Sequence, residues 1–411
     1  LYWSIIMFGI NEDSLASIEF RLSWEKNNVN HTDAIYAHRV NFWRDLFPEN
    51  LRRKLLGSYP GDTVSQDYNP GDLVPLPIRQ RTFRVLHRNV NGQRPDGSTV
   101  VPQYGRFYPR GILGGVPGVF RGNIEPFRCT DTDNDGIRAD FNHPLAGREV
   151  RLDAHVLDVR EKFEEHGGTA TDWVEQALTG PGMQSRYNGA PTTFFDGRAF
   201  EREDAGDDRG FYARSRLVQH IDDRAIETIS GLYGRIIPSG SRVLDLMSSW
   251  TSHLPDYLET ASVTGLGMNA EELTANSRLM AFDTHDLNRL PRLPYPDAAF
   301  DAVICTVSVE YLTQPFDVFA EVARVLAPEG VFAVTFSDRW FPTKAIRIWK
   351  ELHPFERMGM VLELFRRSKR FHALETHSSQ GWPRPEGDKY ADGMAFSDPV
   401  FGVWGRRRSD T

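Results

Sequence analysis

Apolar and polar residues alternate with the period of a half-buried strand over residues 18–24 (Ile-Glu-Phe-Arg-Leu-Ser-Trp) and again over 150–159 (Val-Arg-Leu-Asp-Ala-His-Val-Leu-Asp-Val). Successive side chains of a strand point to opposite faces, so each run predicts one buried and one wetted side. Short runs of this kind, broken by turn residues, fill the stretch 17–160 and predict a mostly β half. After Gly210 helical patterns alternate with compact apolar runs at 243–246, 262–266, 300–305 and 330–336. Strands separated by helices predict right-handed crossovers and a largely parallel, doubly wound sheet. The helical run from Phe319 is predicted to stop at Pro328 and Gly330. Between 165 and 210 lie Gly-Gly, Gly-Pro-Gly, Asn-Gly and an acidic run at 201–208, which is turn chemistry and reads as a linker. There is no internal repeat and no low-complexity tract.

A length of 411 residues exceeds what one core usually serves, so two domains are expected. An apolar fraction of 40% with 25% charged residues is globular and excludes a disordered or fibrous chain. A net charge of -8 gives no basic face for phosphates, so nucleic acid is not an expected partner. Cys129 and Cys305 are far apart and belong to no Cys/His cluster; no metal site is expected, and a reducing, cytoplasmic setting is. The apolar opening at 1–10 is too short to span a bilayer and lacks a basic flank, so neither membrane nor targeting is expected. Starting at Leu1 with Met7 close behind, it reads as a fragment or an upstream-extended frame.

In a doubly wound sheet ligands sit beyond the carboxyl ends of the strands, so the residues just after each apolar run are the candidates. Asp245 ends the first run and leads into 247–254 (Met-Ser-Ser-Trp-Thr-Ser-His-Leu); later come 282–287 (Phe-Asp-Thr-His-Asp-Leu), 293–305 and the helix from Phe319. This order of pieces, over about 211–405, resembles the class I S-adenosylmethionine-dependent methyltransferases, in particular the type 11 group. The resemblance implies a Rossmann-like methyltransferase sheet, S-adenosylmethionine as cofactor, and methyl transfer to a small molecule or protein. In the family, glycines after the first strand let main-chain amides approach the cofactor's amino acid end. Met247, Ser249 and Thr251 stand in those positions. The resemblance then leaves Asp245 to orient main chain or the cofactor ammonium, Ser248 and Ser249 to supply polar contacts, and Trp250 to shield or fill the site. Gly267 stands where an acidic residue usually holds the ribose, with Asn269 or Glu271 as substitutes. Asp286, next to Leu287, matches the aspartate that accepts from the adenine amino group, and 307–311, with Ser308, should face the methyl donor and the acceptor. The tail at 381–385 and 397–404 resembles a subgroup with the same Ser-Ser-Trp loop, which makes the loop a maintained variant. On the residues alone, Asp245, Ser248 and Ser249 also read as helix caps. Methyl transfer can proceed by positioning without a base; Glu310, His253 and His285 are candidates for one, and no catalytic residue is assigned.

In the front half, Asn-His-Pro-Leu-Ala-Gly at 142–147 followed by a long strand is similar to the closing strand of SlyD-like FKBP-type peptidyl-prolyl isomerases. Residues 17–25 resemble the first strand of that fold, 49–62 its helix and turn, and 76–136 its inserted chaperone-like domain. The resemblance implies a mostly β, α+β FKBP/SlyD-like domain at 1–165, a linker at 166–210, the methyltransferase-like domain at 211–405 and a tail at 406–411. It also implies an unfolded or Pro-containing polypeptide as a partner, the methyl acceptor being unknown. Tyr68 matches the flap tyrosine, but residues 26–31 replace the aspartate turn, and Val150 or Leu152 replaces the usual phenylalanine. A second reading is a non-catalytic folding factor or scaffold, or a prolyl isomerase or chaperone with a cofactor-free methyltransferase fold. Asp131-Thr-Asp-Asn-Asp-Gly136 imitates a calcium loop, yet its twelfth position is Asn142 and it reads as a polar turn. The basic clusters 366–370 and 406–408 read as solvated surface.

Overall fold

A computed structural model describes residues 8–93, 97, 99–161 and 167–409. Most of the apolar opening run, the expected boundary at 165/166 and the last two residues of the tail lie outside them.

The front half supplies β1 (Ser14–Glu25), β2 (Val29–Asn41), β3 (Thr63–Tyr68), β4 (Thr82–Leu86), β5 (Phe107–Pro109), β6 (Pro126–Thr132), β7 (Gly136–Asp140) and β8 (Val150–Glu161). The second half supplies β9 (Ser241–Leu246), β10 (Thr260–Gly267), β11 (Ala281–Thr284), β12 (Phe300–Thr306), β13 (Leu326–Phe336), β14 (Phe371–Gln380) and β15 (Val400–Arg407). The alternation read at 18–24 and 150–159 falls in β1 and β8, which pair with each other. Ile18, Phe20, Leu22, Leu152, Ala154 and Val156 pack into one core. Strands β4–β7 form a separate four-stranded sheet, inserted between β3 and β8, with a small core of its own. It extends past 136, to Asp140, because β7 pairs with both β4 and β6. The calcium-like run is the β6–β7 turn, where Asp133 Oδ1 accepts from the main chain of Asp135 and Gly136.

In the second half the spatial order is β11-β10-β9-β12-β13-β15-β14, parallel through β13 and antiparallel at β15. The order reverses between β9 and β12, which opens a crevice at their carboxyl ends. Both faces are covered, which is why the runs read as continuously apolar. Val331 and Ala333 of β13 face the helix Asp223–Ile236, and Phe332, Val334 and Phe336 face the helices Pro315–Val325 and Pro354–Ser368.

The two halves are not separate sheets. β14 pairs in parallel with β2, from Leu374↔Val29 to Gln380↔Ile35, so eleven strands form one sheet. Buried polar pairs mark the seam: His31 Nδ1 lies 2.8 Å from Thr376 Oγ1, and Ser378 Oγ donates to Asp33 Oδ1 at 2.6 Å. The expected linker is packed over its described residues, 167–210. Gln184 Nε2 donates to Asp33 Oδ2 at 3.0 Å, Arg128 to the Ser185 carbonyl at 2.7 Å, and Arg186 pairs with Glu363. Gly180 and Gly182, which suggested a flexible tether, are tight-packing positions instead. A Cβ would lie 2.4 Å from Phe355 at the first and 2.7 Å from Pro144 at the second.

Burial pushes the Asp33 carboxyl from 3.8 up to about 7, against the opposing pull of Ser378 and Gln184. A carboxyl that holds its proton more tightly when folded stabilises the fold below pH 4 and loses that contribution as the pH climbs toward 7. In denaturant titrations, Asp33→Asn is therefore expected to flatten the decline in unfolding free energy between pH 4 and 8. A variant whose decline matches the parent's would place the seam's titration elsewhere.

Candidate functional site

The carboxyl ends of β9, β10 and β12 border an open cleft. Its floor is the loop after β9. Met247, in the first of the expected glycine positions, has φ +60°, a left-handed conformation that costs an ordinary residue about 1–2 kcal/mol. The chain then turns so that Ser248 N–H donates to the Leu266 carbonyl at 2.8 Å. Its own carbonyl lies over Gly267, where a Cβ would meet that oxygen at 2.2 Å. The serines fasten this turn. Ser248 Oγ donates to Asp245 Oδ2 at 2.6 Å and Ser249 Oγ to Glu272 Oε2 at 2.7 Å, while Asn276 Nδ2 donates to the Ser249 carbonyl at 2.9 Å and Ser252 Oγ at 3.0 Å. Burial pushes the Asp245 carboxyl up to about 6, with the Ser248 and Ser252 hydroxyls pulling the other way.

Of the candidate residues, Ser248, Ser249, Asn269, Asp286, Leu287 and Ser308 border this cleft, and Asp245 borders only the adjoining chamber. Asp286 Oδ1 accepts from the main chain of Asn288 and Arg289, and Oδ2 has no protein donor among the described residues. Leu287 is a buried apolar wall. Ser308 Oγ donates to the Thr306 carbonyl at 2.9 Å. Asn269 is the cap of the helix Ala270–Ala275: its oxygen accepts from Glu271 and Glu272, and its amide donates to the Tyr212 and Ala213 carbonyls. Its hydrogen-bonding capacity is thus largely spent on structure. Glu271 is exposed, and Glu272, one residue on, is the carboxylate that reaches the cleft. Asp208, Tyr212 and Arg216 also border the cleft, from the segment before β9. Asp208 is clamped by Arg202, Lys344 and Asn288 at 2.8–3.0 Å. These residues carry no spacing signature; only the Asp-Asp pair at a helix start signalled an ordered segment there.

A second chamber adjoins the cleft and shares with it, among others, His220, Met247, Ser248, Val307, Ser308 and Tyr311. At the junction β-branched Val307 has φ +47°, held by its N–H bond to Thr335. Strain of this kind concentrates at working sites. The Trp250 indole donates to the Val218 carbonyl at 3.2 Å and lines the chamber; it does not fill the cleft. His253 also faces the chamber, with Nδ1 buried and unpartnered, and burial beside His220 lowers its pKa to about 4. Of the other candidate bases, His285 Nε2 donates to the Leu290 carbonyl at 2.7 Å. Glu310 borders neither cavity, and burial pushes it up to about 8. The tail is held by Arg384, which pairs with Asp222 at 3.2 Å and Asp398 at 2.6 Å, both buried; this seats Lys389 and Tyr390 at the chamber.

Residues 248–334 match the family described as "Methyltransferase domain". A fatty-acid O-methyltransferase of Mycolicibacterium smegmatis is 35% identical over 108 residues, 23% of this chain and 37% of that protein, so the chain spans little more than a third of this relative. Among solved structures, a SAM-dependent methyltransferase from Archaeoglobus fulgidus matches at 12% identity and TM-score 0.33, covering 44% of this chain and 94% of the other. One from Aquifex aeolicus matches at 17% and 0.30, covering 46% and 91%. The second half carries a methyltransferase-type Rossmann-like sheet, and the cofactor implied by the domain match is S-adenosylmethionine. No helix among the described residues is long and apolar enough to cross a membrane.

Removing the Ser248 hydroxyl takes a donor from the buried Asp245 carboxylate. Ser248→Ala is expected to cost about 1.5–3 kcal/mol at pH 8, the scale of a hydrogen bond to a charged group, and less at pH 5, where Asp245 keeps its proton. Denaturant unfolding at the two pH values checks this; a loss independent of pH would show that the hydroxyl does not serve the charged carboxylate.

Proposed function

We propose that this protein is an S-adenosylmethionine-dependent methyltransferase whose cofactor lies in the cleft beyond β9, β10 and β12. The observation that carries the reading is the cradle itself: Met247 adopts a glycine-like conformation, and the Ser248 main chain packs onto Gly267, with neither the thioether nor the indole occluding the cleft. Asp286 Oδ2 is the acceptor for the adenine amino group, and Leu266 and Leu287 flank the ring. Each Glu272 oxygen already takes one donor and retains a lone pair for ribose hydroxyls. Asp245 acts through Ser248 as a positioning residue, and Asn269 orients Glu272 by capping its helix. The carboxylates of Glu272 and Asp286 suit a cationic ligand. When bound, the cofactor supplies an electrophilic methyl group on a sulfonium. The chain's part is to hold that ligand at the Val307–Ser308 junction, align the acceptor from the chamber, and keep water out behind Tyr311 and Phe341.

For the front half we propose an FKBP-type likeness without isomerase chemistry. Tyr68 is 5% exposed in the core and donates to Asn50 Oδ1, so it is not free to line a prolyl pocket. The full chain is expected to leave the isomerisation of a proline peptide at its uncatalysed rate; acceleration in that assay would refute this.

Calorimetric titration of S-adenosylhomocysteine tests the main proposal. Asp286→Ala is expected to weaken binding by about 1–3 kcal/mol, the scale for leaving a polar partner unmatched. Equal affinity in the variant would mean that the adenine lies elsewhere, and absence of binding by the parent would end the methyltransferase reading.

A further inference from the structure

We infer that the methyl acceptor is a carboxylic acid on an apolar or aromatic body, held in the chamber that adjoins the cleft. The inference rests on the methyltransferase reading and adds the substrate class. Its starting point is a chamber cation that pairs with no carboxylate among the described residues. The cleft is bordered by Glu272 and Asp286, with Arg216 as a cation, and by Asp208, whose charge Arg202 and Lys344 neutralise. Among the described residues, the chamber's cations are Arg339 and Lys389, and its carboxylate is Asp245, which is buried and bonded to Ser248 and Ser252.

Both cations sit at one aromatic ring. The Arg339 guanidinium lies 4.8 Å from the Tyr390 ring centroid and Lys389 Nζ lies 5.0 Å from it. Arg339 is anchored through Nε to Asp398 at 2.9 Å. Lys389 has no ion pair among the described residues, so its ammonium is available to a ligand. Its walls include Trp250, Trp340 and Phe341, large aromatic faces against which an apolar body can pack. The Arg339 charge is met by Asp398, so at this end an ammonium acceptor would meet the like charge of Lys389, whereas a carboxylate meets its complement.

The chemistry agrees. A carboxylic acid arrives ionised at neutral pH, so an oxygen lone pair forms the new bond to the methyl carbon while the carbon–sulfur bond breaks and its pair stays on sulfur. The products are a methyl ester and the neutral thioether, and no proton has to move. That matches a chamber whose facing histidine, His253, is a weak base and whose other candidate bases are turned elsewhere. Burial lowers His253 to about 4, His285 is turned to a carbonyl, and Glu310 is walled off. Burial also lowers His220, with Lys389 and Arg216 pushing the same way and Glu272 opposing.

The test is calorimetry on the full chain saturated with S-adenosylhomocysteine, using decanoate, 3-phenylpropanoate, decylamine and 1-decanol as probes. At least one acid is expected to bind tenfold or more tightly than the amine and the alcohol; the better acid distinguishes an aliphatic from an aryl body. Lys389→Glu should weaken that acid about tenfold or more, the scale of a lost charge-assisted contact, while S-adenosylhomocysteine affinity stays within twofold. With S-adenosylmethionine, the preferred acid should gain one methyl as an ester in mass spectra. Acids that bind no better than decylamine, or an acid affinity indifferent to Lys389→Glu, would overturn the inference. Acid binding sensitive to Lys389→Glu in a protein that takes no S-adenosylhomocysteine would sink the methyltransferase reading instead, leaving the chamber as an acid site.

Discussion

The carbonyl of Ser248 sits so close above Gly267 that no side chain fits beneath it, and the cleft takes its shape from that contact. Two departures from the family pattern, a first loop without glycines and a second strand without its terminal acid, thereby become one. A loop built from Met247, Ser248 and Ser249 presses its main chain onto the neighbouring strand, and the strand yields by ending in glycine. The carboxylate that reaches the cleft is Glu272, on the helix that Asn269 caps, where it also grips the loop through Ser249. The cost of the Met247 conformation is offset by hydroxyl and amide contacts to Asp245, Glu272 and Asn276.

The same economy extends to the tail. Arg384, Asp222 and Asp398 form a buried charge cluster whose members also bond to main chain and Ser397, which is what makes such a cluster tolerable away from water. Because Asp222 caps the helix Asp223–Ile236, the cluster ties the tail to the face of the sheet opposite the helix Pro354–Ser368. Gly381 lets the tail pass within reach of the Tyr36 carbonyl, and Trp382 stacks on Tyr36 at 4.2 Å and under Arg224 at 3.4 Å. The tail motifs noticed in the sequence are therefore anchoring motifs, and they set where Lys389 and Tyr390 stand.

Much of this was readable in the chain. The apolar runs at 243–246, 262–266, 300–305 and 330–336 lie in strands, and six of the seven candidate residues border one cleft, because parallel strands buried on both faces leave a strong signal and position their ends predictably. What escaped notice depended on contacts without a local signature. Glu271 and Glu272 are indistinguishable until the cap at Asn269 sets which one turns inward. Gly180 and Gly182 have the composition of a tether, and only their neighbours show them to be packed. The pairing of β2 with β14 joins segments some 345 residues apart through His31, Asp33, Thr376 and Ser378, polar residues that in isolation read as surface.

That pairing bears on how such a protein can be inherited. Each half presents to the other a row of main-chain donors and acceptors that nothing else covers, so neither arrives as a finished module. A lineage that lost the front half would have to blunt the bared strand with charge, proline or a covering loop to keep the remainder from pairing edge to edge. Recombination, which readily shuffles domains strung on tethers, meets here a joint that behaves as the interior of a single body.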